Sequence, residues 1–345
     1  MAIIRKDLIT VLSDTHLGTG GRLDDFRQDE LFIRLLDKLE QQFSVIWGKK
    51  VLILNGDIFD LIQSLHLFKV SPEPLSVFKK IKNAHPGFFQ RLNSFSKKYR
   101  VIFQPGNHDF QLSLGTWGSA LRQLLPHVNV AKQDQVTTYQ RDGKAFRIIS
   151  CHGHQYDPIN RIKDGQSWGN SILELIINVL EDFFPELDNV SVFALCQFLE
   201  KRLSQTFEKM TGVLPQTALN PISLVCSLLK GGPESQIGII LQLLHLFMES
   251  TAKSGEKFSK AAQRLAHGSR REKGETAIAV FGHTHHACLQ AFNETTLYVN
   301  SGCWIDEVTF DEETRRFTAH PRADYLLFGS DQDPLNLVQT VYSMV

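Results

Sequence analysis

The stretch of sequence that decides the fold lies near the amino terminus and reads LITVLSDTH over residues Leu8–His16. An apolar run that ends in polar, turn-forming residues predicts a short buried strand. Alternate residues of an extended chain point the same way, so Asp14 and His16 can reach one cavity beyond the end of this strand. The stretch therefore predicts a strand followed directly by two side chains suited to bind a ligand.

Four further apolar runs end in the same kinds of residue. In chain order these endings read NGD at 55–57, PGNHD at 105–109, CHGH at 151–154 and GHTH at 282–285. Each contains a glycine, which lets the chain turn sharply beside a ligand. Because the ligands of open α/β sheets gather where strands end, the five endings together predict a single site.

Two kinds of periodicity predict an α/β fold. In the first half, strand-like runs at Val51–Leu54 and Val101–Phe103 alternate with helical spacing at Asp25–Phe43 and Leu75–Phe95. Elsewhere β-type runs dominate and predict a hairpin with an Asp-Gly turn and a later group of short strands. These runs are Val136–Gln140, Ala145–Ser150, Ile278–Phe281, Ala287–Ala291, Thr296–Asn300 and Glu307–Phe310.

A region of helical pattern separates the two β-rich parts. We therefore predict one domain over residues 1–345, with a helical insertion at 157–275 that forms a lid or cap. Within it, Lys253–Lys273 is basic and polar, which predicts an exposed helix or a mobile stretch. The apolar faces of the other helices have two interpretations: they pack on the core, or they form an acyl-chain groove or membrane-facing lid.

The composition excludes several classes of protein. Lys+Arg and Asp+Glu both number 37, so no basic surface for nucleic acid is indicated. No apolar run approaches the roughly 20 residues that span a bilayer, and the amino terminus lacks the pattern of a signal peptide. The five cysteines are scattered and form no CxxC pair. These features predict a cytoplasmic protein, peripheral at the inner face of the membrane if the insertion binds lipid.

The residue types at the strand ends predict a pair of divalent metal ions. Carboxylate, amide oxygen and imidazole suit Mn²⁺, which we favour, and also Fe or Zn²⁺. Asp57 has two carboxylate oxygens and can bridge two metals about 3.5–4 Å apart. Taken singly, each motif has an ordinary structural interpretation; GNHD, for example, also suits an Asx turn with a solvated histidine. Five such endings in one chain favour the metal site.

The set of motifs resembles that of the calcineurin-like metallophosphoesterases, which comprises D-x-H, G-D, G-N-H-[DE], H and G-H-x-H. The resemblance covers Leu8–His152 and Ile278–Phe310. It implies a four-layer α/β/β/α sandwich of two mixed sheets. It also implies two sets of metal ligands with Asp57 as the bridge: Asp14, His16 and His285 for one metal, and Asn107, His152 and His283 for the other.

The same resemblance implies how the site works. A hydroxide shared by the two metals attacks phosphorus in line with the leaving oxygen. His108 resembles the family's histidine that stabilises the transition state or protonates the leaving group. Asp109 is then expected to orient that imidazole.

The branch of the family is indicated by finer details. Protein Ser/Thr phosphatases carry G-D-x-V-D-R-G, whereas residues 56–62 read GDIFDLI and lack the arginine. The forms SDTHLG, GDIFD and HGH resemble the UDP-2,3-diacylglucosamine hydrolase branch, which cleaves a lipid-linked pyrophosphate and carries a helical lid at the position of this insertion. The insertion here is longer than that lid, and His154 stands where that branch usually has aspartate.

The functional prediction is hydrolysis of a phosphodiester or pyrophosphate that is nucleotide-linked or lipid-linked. The alternatives are a phosphomonoesterase, acting on a small molecule or a phosphoprotein, and a scaffold that keeps the fold without catalysis. No protein partner is indicated. Candidate substrate contacts follow the metal motifs in the chain: Arg22, Arg161 and His154.

Overall fold

The computed structural model describes the parts of the chain that build both β-rich regions. These are residues 4–5, 7–21, 24–66, 72–132, 134–141, 144–157, 160–162, 257–269, 275–311 and 316–329. Arg22 and most of the predicted insertion lie outside the described residues. None of the described helices is both long and apolar enough to cross a bilayer.

The first sheet has five strands and contains three of the predicted strand ends. Numbered along the chain and taken in spatial order, its strands are β14 (Leu326–Phe328), β2 (Leu8–Leu12), β4 (Lys50–Asn55), β5 (Arg100–Gln104) and β6 (Val128–Val130). All neighbours are parallel except β14, which runs antiparallel to β2 at the edge. The ends of β2, β4 and β5 therefore meet along one edge of this sheet.

The second sheet also has five strands and supplies the other two strand ends. In spatial order its strands are β10 (Cys288–Asn293), β11 (Thr296–Asn300), β9 (Thr276–Phe281), β8 (Lys144–Ser150) and β7 (Gln135–Arg141). The central strands β8 and β9 are parallel, whereas β7 pairs antiparallel with β8 as the predicted hairpin. Two small pairs complete the strands: β1 (Ile4–Arg5) with β3 (Ile46–Trp47), and β12 (Glu307–Asp311) with β13 (Arg316–His320).

The two sheets face each other across a shared core. Ile9 and Val11 of β2 contact a cluster that includes Ile148 and Val280 of the second sheet, whereas Leu12 belongs to a cluster on the other face. Because both faces of β2 are covered, its sequence reads as a continuous apolar run rather than an alternation.

Helices cover the outer faces of both sheets. The helices are α1 (Asp29–Ser44), α2 (Leu61–His66), α3 (Pro74–Ala84), α4 (Pro86–Ser96), α5 (Gly115–Leu124) and α6 (257–269). The first sheet packs on helices such as α1, α3 and α4, and the second packs on α6. This arrangement confirms the four-layer α/β/β/α sandwich of two mixed sheets.

Two helix predictions differ from the structure. The stretch Leu75–Phe95 contains two helices, because Pro86 cannot continue the first one and instead begins the second. The basic stretch Lys253–Lys273 is not simply exposed, because α6 buries Phe258, Ala262 and Ala266 against the second sheet.

A buried histidine holds the loop that follows His16. The two ring nitrogens of His85 lie 2.8 Å from Asp24 and 2.7 Å from Asp29. Asp24 in turn accepts backbone N–H groups of Gly18 at 3.0 Å and Gly20 at 2.6 Å. Burial alone would lower the pKa of His85, but the two carboxylates outweigh it and raise the pKa to about 9.

This cluster predicts a pH-dependent contribution to stability. Because the pKa of folded His85 is raised above its ordinary value of 6.5, the stabilisation is complete below about pH 6.5 and is lost as the pH rises through about 9. We expect His85→Gln to lower the free energy of unfolding by about 3 kcal/mol at pH 6. Urea unfolding at pH 6 to 10 should show this difference shrinking with pH.

The matched control is His127→Gln, at an exposed histidine that forms no ion pair with a described residue. A difference for His85→Gln that stayed constant over the whole pH range would contradict a charged His85.

Candidate metal centre

The five strand ends meet in one buried cluster between the two sheets. Nε2 of His152, after β8, lies 2.9 Å from Oδ2 of Asp57, after β4. Nε2 of His285, after β9, lies 3.2 Å from Oδ1 of Asp14, after β2. The site is therefore built across the gap between the sheets, and neither sheet forms it alone.

Three groups within this cluster have the geometry to hold a metal ion. In each group the ligand atoms lie within 4.8 Å of one another: Asp14 with His16 and His285, Asp57 with His152 and His283, and His16 with Asp60 and His108. The first group has the residues predicted for one metal, and the second brings His152 and His283 together with Asp57, the predicted bridge. Asn107 is also buried and sits in the loop after β5.

The backbone at these positions is in a conformation that side-chain-bearing residues rarely adopt. Among the described residues, those other than glycine with a positive φ are Asp14, His16, Asp57, His283 and His285, with φ between 51° and 70°. Each such residue costs on the order of 1–3 kcal/mol and persists only where its surroundings fix it. All five belong to the predicted ligand set, so the strain is concentrated at the site.

A buried carboxylate joins the two loops that carry Asp57 and Asn107. Asp109 accepts backbone N–H groups from Gly106 at 2.6 Å, Ile58 at 2.9 Å and Phe59 at 3.2 Å. Asp57 also joins the two loops, because its Oδ1 accepts the backbone N–H of His108 at 2.8 Å. Burial and the charge of Asp57 raise the pKa of Asp109 to about 6.

The contacts of His108 correct one expectation from the sequence. Its Nδ1 lies 3.0 Å from Oδ2 of Asp60, and the same oxygen lies 3.3 Å from Nδ1 of His16. Asp60 rather than Asp109 therefore orients this imidazole, since the hydrogen bonds of Asp109 go to backbone groups. Burial favours the neutral form of Asp60, but His108 and His16 outweigh burial and lower the pKa of this carboxyl.

Two further contacts fix the orientation of the imidazoles. Nδ1 of His152 lies 2.9 Å from the carbonyl oxygen of Asn55, so it donates there and leaves Nε2 facing Asp57. Nε2 of His283 lies 3.0 Å from Oδ2 of Asp157. Sequence reasoning missed Asp157 and Asp60, because neither follows an apolar run at the position of a motif ligand.

The charges of the cluster fit divalent cations. Burial alone would raise the pKa of Asp14 and of Asp57, but neighbouring imidazoles, His152 foremost, lower both. Among the described residues, no lysine or arginine forms an ion pair with either carboxylate. In the metal-free centre the imidazoles supply the positive charge beside these two buried carboxylates, and divalent cations would supply it when bound.

The candidate substrate contacts are only partly described by the structure. The ring of His154 lies 5.5 Å from that of His152, and burial together with His152 and His283 lowers its pKa to about 3. The side chain of Arg161 is exposed and forms no ion pair with a described residue. The roles of His154, Arg161 and Arg22 in substrate binding thus remain predictions.

Comparison with known proteins agrees with this architecture. The family described as calcineurin-like phosphoesterase matches residues 8–192, which is more than half of the 345-residue chain. The chain therefore belongs to the calcineurin-like phosphoesterase family and is a metal-dependent phosphoester hydrolase, and the clusters at these strand ends are the candidate divalent metal site. A search of curated proteins found no match.

Several solved structures are similar to the chain at low identity. A dimetal phosphatase from Danio rerio is 12% identical, with 94% of this chain and 96% of that chain covered and a TM-score of 0.34. A 5'-nucleotidase precursor from Thermus thermophilus is 13% identical, with 93% and 55% covered and a TM-score of 0.32. A 5'-nucleotidase from Candida albicans is 11% identical, with 93% and 51% covered and a TM-score of 0.31. The chain spans about half the length of these two nucleotidases.

The loop after β5, which carries Gly106, packs so closely on Asp57 of the loop after β4 that one added methyl group at position 106 should displace Asp57. A Cβ at Gly106 would collide with the Asp57 carboxylate and come within 2.6 Å of the Asp57 backbone nitrogen. We expect Gly106→Ala to displace Asp57 and to reduce the bound-metal content to less than half that of the wild type, measured by elemental analysis after dialysis. The matched control is Gly115→Ala, where a Cβ meets nothing within 4 Å. Full metal content in Gly106→Ala would show that the loops can separate freely.

The contact between Asp157 and His283 predicts an effect on metal affinity. A carboxylate that accepts from a metal-binding imidazole usually contributes 10- to 100-fold to affinity, so we expect Asp157→Ala to weaken metal binding by about that factor. Competition with a chromogenic chelator measures this affinity. Asp157→Asn keeps an acceptor oxygen and should lose less. Equal losses for both variants, with lowered thermal stability, would indicate a purely structural role.

Proposed function

We propose that the chain is a two-metal phosphodiesterase or pyrophosphatase. In this proposal Asp14, His16 and His285 hold one metal, and Asn107, His152 and His283 hold the other, while Asp57 bridges them. The two observed groups of converging ligand atoms support this division. We further propose Mn²⁺ as the native metal, with Fe and Zn²⁺ as the alternatives that suit the same donors.

The protein groups around the centre have distinct tasks in the reaction. When bound, the metals would supply Lewis acidity and lower the pKa of water so that it attacks at neutral pH. His108 would give a proton to the leaving oxygen. Asp60 would hold this ring in place through Nδ1 and, through the same oxygen, fix the orientation of His16.

The preference for a diester or pyrophosphate follows from the position after Asp60. Protein phosphatases of the family have an arginine there that grips a phosphate dianion, whereas this chain has Leu61. Leu61 is fully buried and begins α2, where it packs in the core on the outer face of the first sheet. A centre without this fixed arginine suits the single negative charge of a diester better than the dianion of a monoester.

The sequence motifs support a proposal for the group that the phosphoester links in the substrate. SDTHLG, GDIFD and HGH favour a lipid-linked or nucleotide-linked pyrophosphate, as in the UDP-2,3-diacylglucosamine hydrolase branch. We propose that residues 157–275 form a cap over the centre and bring substrate to it. The contact of Phe258 in α6 with the ring of His283, at 5.7 Å between centroids, supports a cap that reaches the centre.

A pair of chromogenic substrates tests this function. We expect the purified full chain with Mn²⁺ to hydrolyse bis-p-nitrophenyl phosphate with a higher kcat/KM than p-nitrophenyl phosphate. Asp57→Ala should lower the rate of hydrolysis by more than the 10- to 100-fold loss that is typical when a residue that contacts only a metal ligand is replaced. The matched control is Glu294→Ala, at an exposed acid in the turn before β11. A higher kcat/KM for the monoester would instead identify a phosphomonoesterase, and full activity of Asp57→Ala would overturn the two-metal mechanism.

A further inference from the structure

The end of β11 carries no predicted metal ligand, yet it contacts loops that do. Residues 300–304, which we call the β11 loop, are all buried. Because β11 pairs with β9, this loop lies beside the loop that carries His283 and His285. It also reaches the first sheet, where the backbone N–H of Trp304 donates to the carbonyl oxygen of Asp14 at 3.0 Å. The β11 loop therefore contacts ligand-bearing loops of both sheets.

On one side of the β11 loop, the side chain of Asn300 holds the loop that carries the two imidazoles. Its Nδ2 donates to the carbonyl oxygen of Gly282 at 2.6 Å and to Oγ1 of Thr284 at 3.1 Å. Its Oδ1 accepts the backbone N–H of Gly302 at 3.0 Å, which fixes the direction in which the amide faces. Since Gly282 and Thr284 flank His283, Asn300 restrains the chain on both sides of this predicted ligand.

On the other side, two buried serine hydroxyls form a chain that ends at a carboxylate. Oγ of Ser13 donates to Oδ2 of Asp14 and lies 2.6 Å from Oγ of Ser301. A hydroxyl has one proton, so the proton between the two serines comes from Ser301. The other acceptors are farther: the carbonyl oxygen of Gly302 is 3.4 Å from Ser13, and that of Phe281 is 3.2 Å from Ser301. The chain thus runs from Ser301 through Ser13 to Asp14.

This chain gives the two oxygens of Asp14 different surroundings. Oδ2 accepts the hydroxyl of Ser13, whereas Oδ1 lies 3.2 Å from Nε2 of His285 and 3.9 Å from Nε2 of His152. A Cβ at Gly282 would come within 2.5 Å of both Ser13 Oγ and Asp14 Oδ2, so the arrangement is tightly enclosed. Rotation of the carboxylate would break a hydrogen bond between an ionised acceptor and a buried donor, which is among the stronger kinds.

We propose that Ser301 and Asn300 are positioning residues for the metal centre. Ser301 acts through Ser13, whose hydroxyl holds one oxygen of Asp14 and leaves the other directed at the centre. Asn300 acts on the loop after β9. The proposal rests on the proposed function, because it uses the division of ligands between two metals.

The two positioning residues have different consequences for metal affinity. The serine chain contacts a ligand of one metal only, the metal proposed on Asp14, His16 and His285. Asn300 restrains the loop that supplies one imidazole to each metal. Loss of the serine chain should therefore weaken one metal, whereas loss of the Asn300 amide should weaken both.

Mn²⁺ titration of the metal-free full chain against a chromogenic chelator tests the serine chain, because it yields two dissociation constants. We expect Ser13→Ala to raise one of them at least tenfold, in the range usual for a residue that orients a ligand, and to leave the other within about twofold. Ser301→Ala should have a smaller effect on the same constant. The double variant should lose no more affinity than Ser13→Ala, because Ser301 acts only through Ser13.

Thermal unfolding of the metal-free variants separates positioning from a purely structural role. Removing two hydroxyls that bond each other changes stability little, so the double variant should unfold close to the wild type. The matched control is Ser96→Ala, which removes a buried hydroxyl in α4 that donates to the carbonyl oxygen of Asn93. This control should change neither dissociation constant.

Asn300→Asp tests the amide with a side chain of the same shape that cannot donate when ionised. We expect both dissociation constants to rise at least tenfold. Unchanged constants in Asn300→Asp and Ser13→Ala would overturn the proposal, as would additive losses from the two serine variants. Equal weakening of both metals by Ser13→Ala, with lowered thermal stability, would also overturn it in favour of a structural role. The expected pattern would support the proposal even if the wild type hydrolysed no phosphoester, a result that would overturn the proposed function alone.

Discussion

The geometry of the centre depends on the buried carboxylate of Asp109. A carboxylate removed from water must find several donors, and Asp109 finds them in the backbone of two loops that come from neighbouring strands. Asp109 thereby ties the loop after β4, which carries Asp57, to the loop after β5, which carries Asn107. Gly106 permits this closeness because any side chain there would occupy the position of Asp57.

The chain assembles charge at the centre before any metal binds. The imidazoles of His16 and His152 have pKa values near 9, because the carboxylates around them outweigh the effect of burial. His285 behaves in the opposite way, with a pKa near 4, since burial there exceeds the attraction of Asp14. The centre thus holds imidazoles in different charge states. Burial and neighbouring charges decide the charge state of each imidazole.

Most of this site was predictable from the sequence, because each motif residue directly follows an apolar run and parallel strands deliver such residues to one edge. The contacts that orient these motif residues were not predictable from the sequence. Asp109 was expected to orient His108, but adjacent residues in a tight turn point in different directions, and Asp60 from another loop takes that place. Asp157 could not be assigned, because its contact with His283 depends on how the chain leaves β8. The layers of the fold were predicted correctly. The break at Pro86 is a local effect of the proline that the continuous helical spacing obscured, whereas the buried face of α6 depends on tertiary packing.

The neighbourhood of His283 has a consequence for how this enzyme can change over evolution. Asp157, a few residues after β8, contacts this imidazole, and so does Phe258 of α6, about a hundred residues later in the chain. A segment whose two ends lie close together can be exchanged without straining its host. If residues 157–275 form the proposed cap, its length and sequence could therefore change at this point, and new substrates could be acquired without redesign of the candidate metal ligands.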